Sequence, residues 1–508
     1  MLHDLLGVLQ EKERRIEKLQ HQLQQALRQR FGKKSESIDP GQLRLFLAEI
    51  QATLQALPDP PVPSEAPPAE RPRNGHGRAP LPAHLPRKRQ EYPLPEAEQI
   101  CRGCHGRLER IGEEVTRQLD YVPASFFVRE HVRVKYACRK CQENVVVSEM
   151  PPQPIEKGLP GPGLLAHVVT SKYADHLPLY RLEGIFERHG IDLSRQTLCD
   201  WMGRSAEVVE PVYEAMKADL FRSKVLHTDD TPVPVLDPTR DRTRLGRLWV
   251  HVGDRDHPQI VFDYTPTRSR DGPVAFLGGY RGYLQADAYA GYDGIFTRGG
   301  AIEVGCMAHA RRKFFDAEGT DPARARVALA FIQQLYAVER EAKDLPSEAR
   351  QALRQARSRP ILDAFRTWLE AQQPAVLPKS PLGEAFGYAF GQWEALRRYL
   401  EDGDLDIDNN EAERALRCVA IGRKNWLFAG SDEGGWRAAI LFSLVATCKR
   451  HGIDPFVYLR DVLARIATHP ARAVADLMPS NWKPREEAAR GHGSPESSAP
   501  LDQAVATG

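Results

Sequence analysis

Between residues 224 and 310 the chain sets out short strand-forming and helix-forming runs in an order that leaves few arrangements open. Apolar, β-branched stretches at 224–229, 247–253 and 259–265 follow one another directly, each bounded by Pro, Asp or Gly. A helical stretch around 268–277, a strand at 282–287, a short helix from Tyr289 and a strand at 302–306 then alternate. Strands in direct succession pair antiparallel, whereas a strand reached through a helix crosses over to pair in parallel. One mixed sheet with helices on its faces is therefore expected.

Such an order suits a ribonuclease-H-like α/β fold, in which the ends of the first and fourth strands lie side by side. Asp229 closes the first, in His227-Thr228-Asp229-Asp230-Thr231, and Asp287 closes the fourth, in Leu284-Gln285-Ala286-Asp287. A third acid, Glu413, lies just inside a helix opened by Asp408-Asn409-Asn410. These three are 58 and 126 residues apart in the chain, yet the predicted elements bring them to one point. Converging carboxylates are the ligands that hard cations such as magnesium or manganese take, which points to metal-dependent phosphodiester chemistry. Asp230, the next residue, competes with Asp229, and since adjacent residues of a strand face opposite ways, alternation decides only weakly between them.

Bulk composition sets looser bounds. With 508 residues, 42% hydrophobic and 27% charged, the chain can build several cores. Its 70 Lys and Arg against 68 Asp and Glu give a formal net charge of +2, which excludes a uniformly basic binder and leaves any DNA affinity to local patches. Asp4 and the charges from Glu11 onward interrupt any apolar leader. The longest uncharged apolar run, 438–448, is shorter than the roughly 18 residues a membrane span needs. A soluble, cytoplasmic protein is expected. Four of the eight Cys form two C-x-x-C pairs, which in a reducing compartment suits metal ligation better than disulfides.

Several regions flank the sheet. Residues 1–50 read as a zipper helix, with Leu2, Leu5, Leu9, Ile16, Leu19, Leu23 and Ala26 at coiled-coil spacing, and so predict a homo-oligomer. Residues 51–92 are Pro-rich and then basic, a linker whose Arg71, Arg73, Arg78, Arg87, Lys88 and Arg89 suit a phosphate backbone. In 93–150, Cys101, Cys104, Cys138 and Cys141 bracket alternating residues (Phe127, Val128, Val132, Val134, Tyr136) that read as a strand pair. Four thiolates from two knuckles are the ligand set of structural zinc. Residues 151–218 are expected to be helical: Leu179, Leu182, Ile185 and Phe186 form a face that stops at His189-Gly190, and Ser194 caps a new helix. Its first turn, Arg195, Gln196 and Thr197, has the placement of a helix-turn-helix element entering double-stranded DNA. The catalytic domain spans 219–440, with an all-helical insertion at 316–403 broken at Pro346, Pro360 and Pro378; a helical region at 441–484 and a polar, disordered tail at 485–508 follow.

Five motifs carry a resemblance: His227 to Thr231; Gln285-Ala286-Asp287-Ala288-Tyr289-Ala290-Gly291-Tyr292; Cys306 to Phe314, containing Cys306-Met307-Ala308-His309; Asn409-Asn410-Glu411-Ala412-Glu413-Arg414; and Gly422-Arg423-Lys424-Asn425-Trp426. In this order they resemble the motif set of DDE transposases of the IS-sixty-six insertion-sequence family. The resemblance implies that Asp229, Asp287 and Glu413 hold two magnesium ions, that water first frees a 3′-hydroxyl at the element end, and that this hydroxyl then attacks target DNA. It implies partners as well: inverted-repeat ends, target DNA and small accessory proteins of the same element. Motif position selects Asp229 over Asp230.

Plainer explanations compete at several positions. Asn410-x-x-Glu413 is spaced like a capping box. Asp402, Asp404 and Asp406, with Glu413 twelfth in line, imitate a calcium loop, although Ile407 stands where that loop needs Gly. Cys306 and His309 read equally as a packing pair, and no metal is assigned to them. Arg423 and Lys424, after the third acid, are expected to meet phosphate. A catalytically inert DNA-binding regulator and a structure-specific nuclease are the rival functions.

Overall fold

The computed structural model describes residues 126–137, 145–147, 149–150, 152–156 and 158–484. The zipper, the linker, all four cysteines of the C-x-x-C pairs and the tail lie outside the described residues. Residues 131–484 belong to one compact unit; residues 126–130, part of another, are exposed and without regular structure.

β1 (Lys135–Ala137) pairs antiparallel with β2 (Val145–Val147), Tyr136 opposite Val146. This differs from the strand pair expected between the two cysteine pairs: residues 126–134 are irregular, and the partner of β1 lies beyond Cys141. Alternation alone does not name a strand's partner.

Three helices follow, α1 (Pro162–Tyr173), α2 (Leu179–Glu187) and α3 (Arg195–Leu220). Pro162 starts α1, where its missing N–H costs nothing. The turn after α2 contains Gly190 at φ +73°, a left-handed conformation that favours glycine. Ser194 then caps α3 as expected, its hydroxyl accepting from the Thr197 N–H at 3.2 Å.

The sheet comprises β3 (Val225–Val235), β4 (Arg244–Val252), β5 (Ile260–Thr265), β6 (Tyr283–Gln285) and β7 (Ile302–Val304), with α4 (Asp271–Leu277) between β5 and β6. Its order is β5-β4-β3-β6-β7, antiparallel across the first three and parallel across the last two pairings. β3 runs six residues past Asp229 and through Pro232 and Pro234. β6 pairs with it only over Val225–His227, so beyond that point the side away from β4 needs no ladder donors. The Pro234 carbonyl accepts from Ala429 N–H at 2.8 Å and the Pro232 carbonyl from Arg423 on that outer side. Both ring nitrogens face the same way, where a missing N–H does no harm.

After β7 come α5 (Met307–Ala317), α6 (Pro322–Ala342), α7 (Ser347–Leu353), α8 (Arg359–Gln372), α9 (Pro381–Gly391) and α10 (Trp393–Arg397), then α11 (Asn410–Trp426), α12 (Asp432–Arg450) and α13 (Pro455–Arg465). Pro346 precedes α7, Pro360 lies in the first turn of α8, and Pro378 falls between α8 and α9. Two apolar cores result. One joins α1–α3, the sheet, α11, α12 and α13; the other, built on Phe314, Phe331, Phe365, Trp368, Phe386 and Trp393, fills the helices after β7 and touches the sheet through Val225 and Val304.

Both sheet edges are covered. Along β5, the Ile260 and Phe262 N–H groups donate to Thr447 Oγ1 (3.0 Å) and Ser443 Oγ (2.8 Å) of α12. Beside β7, the Glu303 carbonyl accepts from Arg398 and the Gly305 N–H donates to the Ala395 carbonyl at 2.9 Å. α12 also packs Gly435 flat against the Tyr264 ring, where a Cβ would lie 2.5 Å from a ring carbon, while the Tyr264 hydroxyl donates to Asp432 at 2.5 Å. Among the described residues no helix is long and apolar enough to cross a membrane.

Candidate active site

The parallel register of β3 and β6 sets Val225 beside Tyr283, Leu226 beside Leu284 and His227 beside Gln285; the pairing ends there, and Asp229 and Asp287 each lie two residues past the last pair at the same offset. Paired residues of neighbouring strands share a face. Burial pushes the Asp229 carboxyl up to about 7; the Asp230 N–H it accepts, at 2.7 Å, opposes this, and the charges of Asp287, Asp230 and Glu413 add to it. Burial raises Asp287 too, with His309 and Arg268 opposing. The charges of Asp287 and Glu413 thus reach Asp229, but among the described residues the three expected acids do not form a group with ligand atoms within 4.8 Å of one another.

Asp230 has other company. Its side chain is 3% exposed and ion-paired to Arg247 and Arg268, both at 2.8 Å. Arg247 sits diagonally across the β3–β4 ladder, since Asp230 itself opposes Trp249. Arg268 lies over the Tyr289 ring, 4.1 Å from its centroid, and its guanidinium also comes within 3.8 Å of Asp287. With two guanidiniums on it, Asp230 is a neutralised strut.

Glu413 depends on Asn409, which is fully buried. Its amide donates to the Thr228 carbonyl at 2.8 Å, its Oδ1 meets His227 Nδ1 at 3.2 Å, and its N–H donates to Cys306 Sγ at 3.2 Å. Gln285 adds a bond to the Asp406 carbonyl at 2.7 Å. The segment entering α11 is thus stitched to β3, β6 and the start of α5 by side chains that sequence reasoning had quoted only as motif letters. Asn409 is also the N-cap position, and its side chain makes no capping bond. A capping box from Asn409 would use Ala412, so Glu413 stands one place beyond it and its carboxylate is spared that role.

Among the described residues, the compact group of potential metal ligands is Cys306, His309 and Glu413, one ligand atom of each lying within 4.8 Å of the others. Burial pushes the Cys306 thiol up to about 12. A polar cleft of about 570 Å³ opens here, lined among others by His309, Arg311, Arg312, Gln333, Arg340 and Glu413. The calcium-like acids are otherwise engaged: Lys224 Nζ sits 2.8 Å from Asp402 and 2.6 Å from Asp404, placing an ammonium where a calcium loop needs its ion.

The residues expected to contact DNA are spread over two places. Arg195 and Gln196 are exposed on the first turn of α3 and Thr197 is half-buried, with Gln196 bonded to Asp200 at 3.0 Å. At the end of α11, Lys424 is exposed, whereas Arg423 reaches back to Thr231 (3.1 Å) and the Pro232 carbonyl.

The family model described as Transposase IS66 family matches residues 157–437, zinc-finger binding domain of transposase IS66 matches 98–142, IS66 C-terminal element 443–480, and Transposase C of IS166 homeodomain 18–89. Two Sinorhizobium fredii proteins are similar over most of their length. Uncharacterized protein y4hP is 37% identical over 429 residues, 80% of this chain and 77% of its own. Uncharacterized protein y4jD is 34% identical over 463 residues, 88% of this chain and 90% of its own.

Proposed function

The chain belongs to the IS66 transposase family, and from that premise we propose that it cuts DNA at the ends of an insertion sequence and joins the freed 3′-hydroxyl to target DNA. The sheet order, three antiparallel strands followed by two parallel ones, supports a ribonuclease-H-like reading of the core. Asp229, Asp287 and Glu413 are the residues that would hold two divalent cations, magnesium or manganese. When bound, such a pair activates the attacking oxygen and stabilises the leaving one. Asp229 takes the central position in this reading because the charges of both Asp287 and Glu413 act on it. Asp287 and Glu413 would supply the remaining carboxylate oxygens to the same pair of ions.

Other parts of the chain bind and orient DNA. Arg195, Gln196 and Thr197 are assigned to duplex contacts near the ends, Lys424 and Arg423 to phosphate beside the third acid, and Cys101, Cys104, Cys138 and Cys141 to structural zinc in the segment matched by the family's zinc-finger model. Copies of the chain are proposed to associate through the zipper segment, with small accessory proteins of the element assisting.

The observation that supports the reading is that the Asp229 carboxyl is buried and raised with the charges of Asp287 and Glu413 acting on it, beyond the end of the β3–β6 pairing. Purified full-length protein with magnesium and a labelled element end tests it. Asp229→Ala, Asp287→Ala and Glu413→Ala should each abolish cleavage, while a folded Asp230→Ala retains it; the reverse ranking of the two neighbouring aspartates sinks the assignment. Cleavage without joining would leave a nuclease, and specific binding without either reaction a regulator.

A further inference from the structure

We infer that Cys306, His309 and Glu413 form a zinc site of their own, and that zinc bound there draws Glu413 away from Asp229. The first half stands on the geometry; the second rests on the cleavage reading above. Cys306 is the residue before α5 and His309 lies in its first turn, so both face one side of the helix start. Glu413 comes across from the first turn of α11. Their ligand atoms already lie within 4.8 Å of one another. A tetrahedral zinc with bonds of about 2.0 to 2.3 Å asks for separations of roughly 3.3 to 3.8 Å. The exposed Glu413 side chain can close that difference by a change of rotamer.

The donor set selects the ion. Sulfur and imidazole suit zinc, whereas magnesium takes oxygens, so this group and the three acids want different metals and share one residue. Two supporting contacts are in place. The Asn409 N–H already points at Cys306 Sγ at 3.2 Å, the kind of outer donor that steadies a ligating sulfur. His309 Nδ1 is buried with no hydrogen-bond partner, an arrangement a neutral imidazole satisfies by giving its lone pair to a metal. Binding exchanges one proton for the metal at Sγ, the proton leaving to buffer. Three protein ligands leave a fourth position for water.

Full-length protein dialysed against buffered zinc and counted by elemental mass spectrometry tests the site. Wild type should carry one more zinc per chain than Cys306→Ser or His309→Asn, while Cys199→Ser, an exposed cysteine elsewhere, should keep the wild-type count. The half-buried His309 position guards against a Cys306 variant that fails to fold. Equal counts in wild type and in folded His309→Asn overturn the site. Manganese binding, followed by its paramagnetic resonance signal, reads the competition: zinc should weaken it in wild type and leave it unchanged in His309→Asn. Equal weakening in both, or none in wild type, overturns the shared use of Glu413. A protein that shows the extra zinc yet never cuts DNA with magnesium condemns the cleavage reading instead, so the two failures are distinguishable.

Discussion

Asp229 and Asp230 are neighbours with opposite fates, because β3 turns one toward Asp287 and the other onto Arg247 and Arg268. A carboxyl whose folded pKa is raised favours the protonated native state, so its contribution is present at low pH and is lost as pH climbs toward 7. Without added divalent ions, Asp229→Asn is therefore expected to stabilise the chain at pH 8 by ~1–3 kcal/mol and to change little at pH 4, as urea unfolding would show; a variant less stable at pH 8 contradicts the crowded-acid picture. Divalent binding should weaken below pH 7 for the same reason, since a protonated carboxyl is a poor ligand. Asp230→Asn should instead destabilise by ~1–3 kcal/mol at neutral pH, leaving two guanidiniums short of their counter-charge. Sequence alone named both aspartates and could choose only by motif position. What separates them is supplied by β4 and by the loop before α4, and no local spacing encodes that.

Elements were more legible than residues. The strand order, the Ser194 cap and the helix breaks at Pro346, Pro360 and Pro378 follow from local chemistry, and the structure contains them. The sequence places the end of the first strand at 229, but β3 continues to Val235 through Pro232 and Pro234 because its outer flank there is served by α11 and by the segment after it. Similarly, the apparent capping box at Asn410 dissolves once the helix is seen to start with Asn409 as cap, a shift of one residue decided by the bonds Asn409 makes to β3. Helix placement on the sheet is tight enough to test. Gly435→Ala should cost ~1–3 kcal/mol by forcing Tyr264 off its contact, read as a lower unfolding midpoint; an unchanged midpoint means α12 does not lie as close to the ring as described.

At the scale of the whole molecule, the two cores explain how a gap of 126 residues between Asp287 and Glu413 is tolerated: the helices after β7 bury their own apolar faces and return the chain at Ile407, whose carbonyl accepts from Met307 N–H at 3.0 Å. A fragment spanning residues 152–484 contains both cores and is expected to keep native helical content by circular dichroism and a cooperative thermal transition. Aggregation, or melting without a transition, would show that the preceding region is needed for folding. The finished state of the sheet edges reaches further. With the ladder groups of β5 answered by Ser443 and Thr447, and the end of β7 by Arg398 and Ala395, neither flank offers the row of free rungs on which a foreign strand could polymerise. Contact between copies along the edges of this five-stranded sheet would therefore have to use side chains and helices, and would be undone by point changes that leave the interior of the described unit intact.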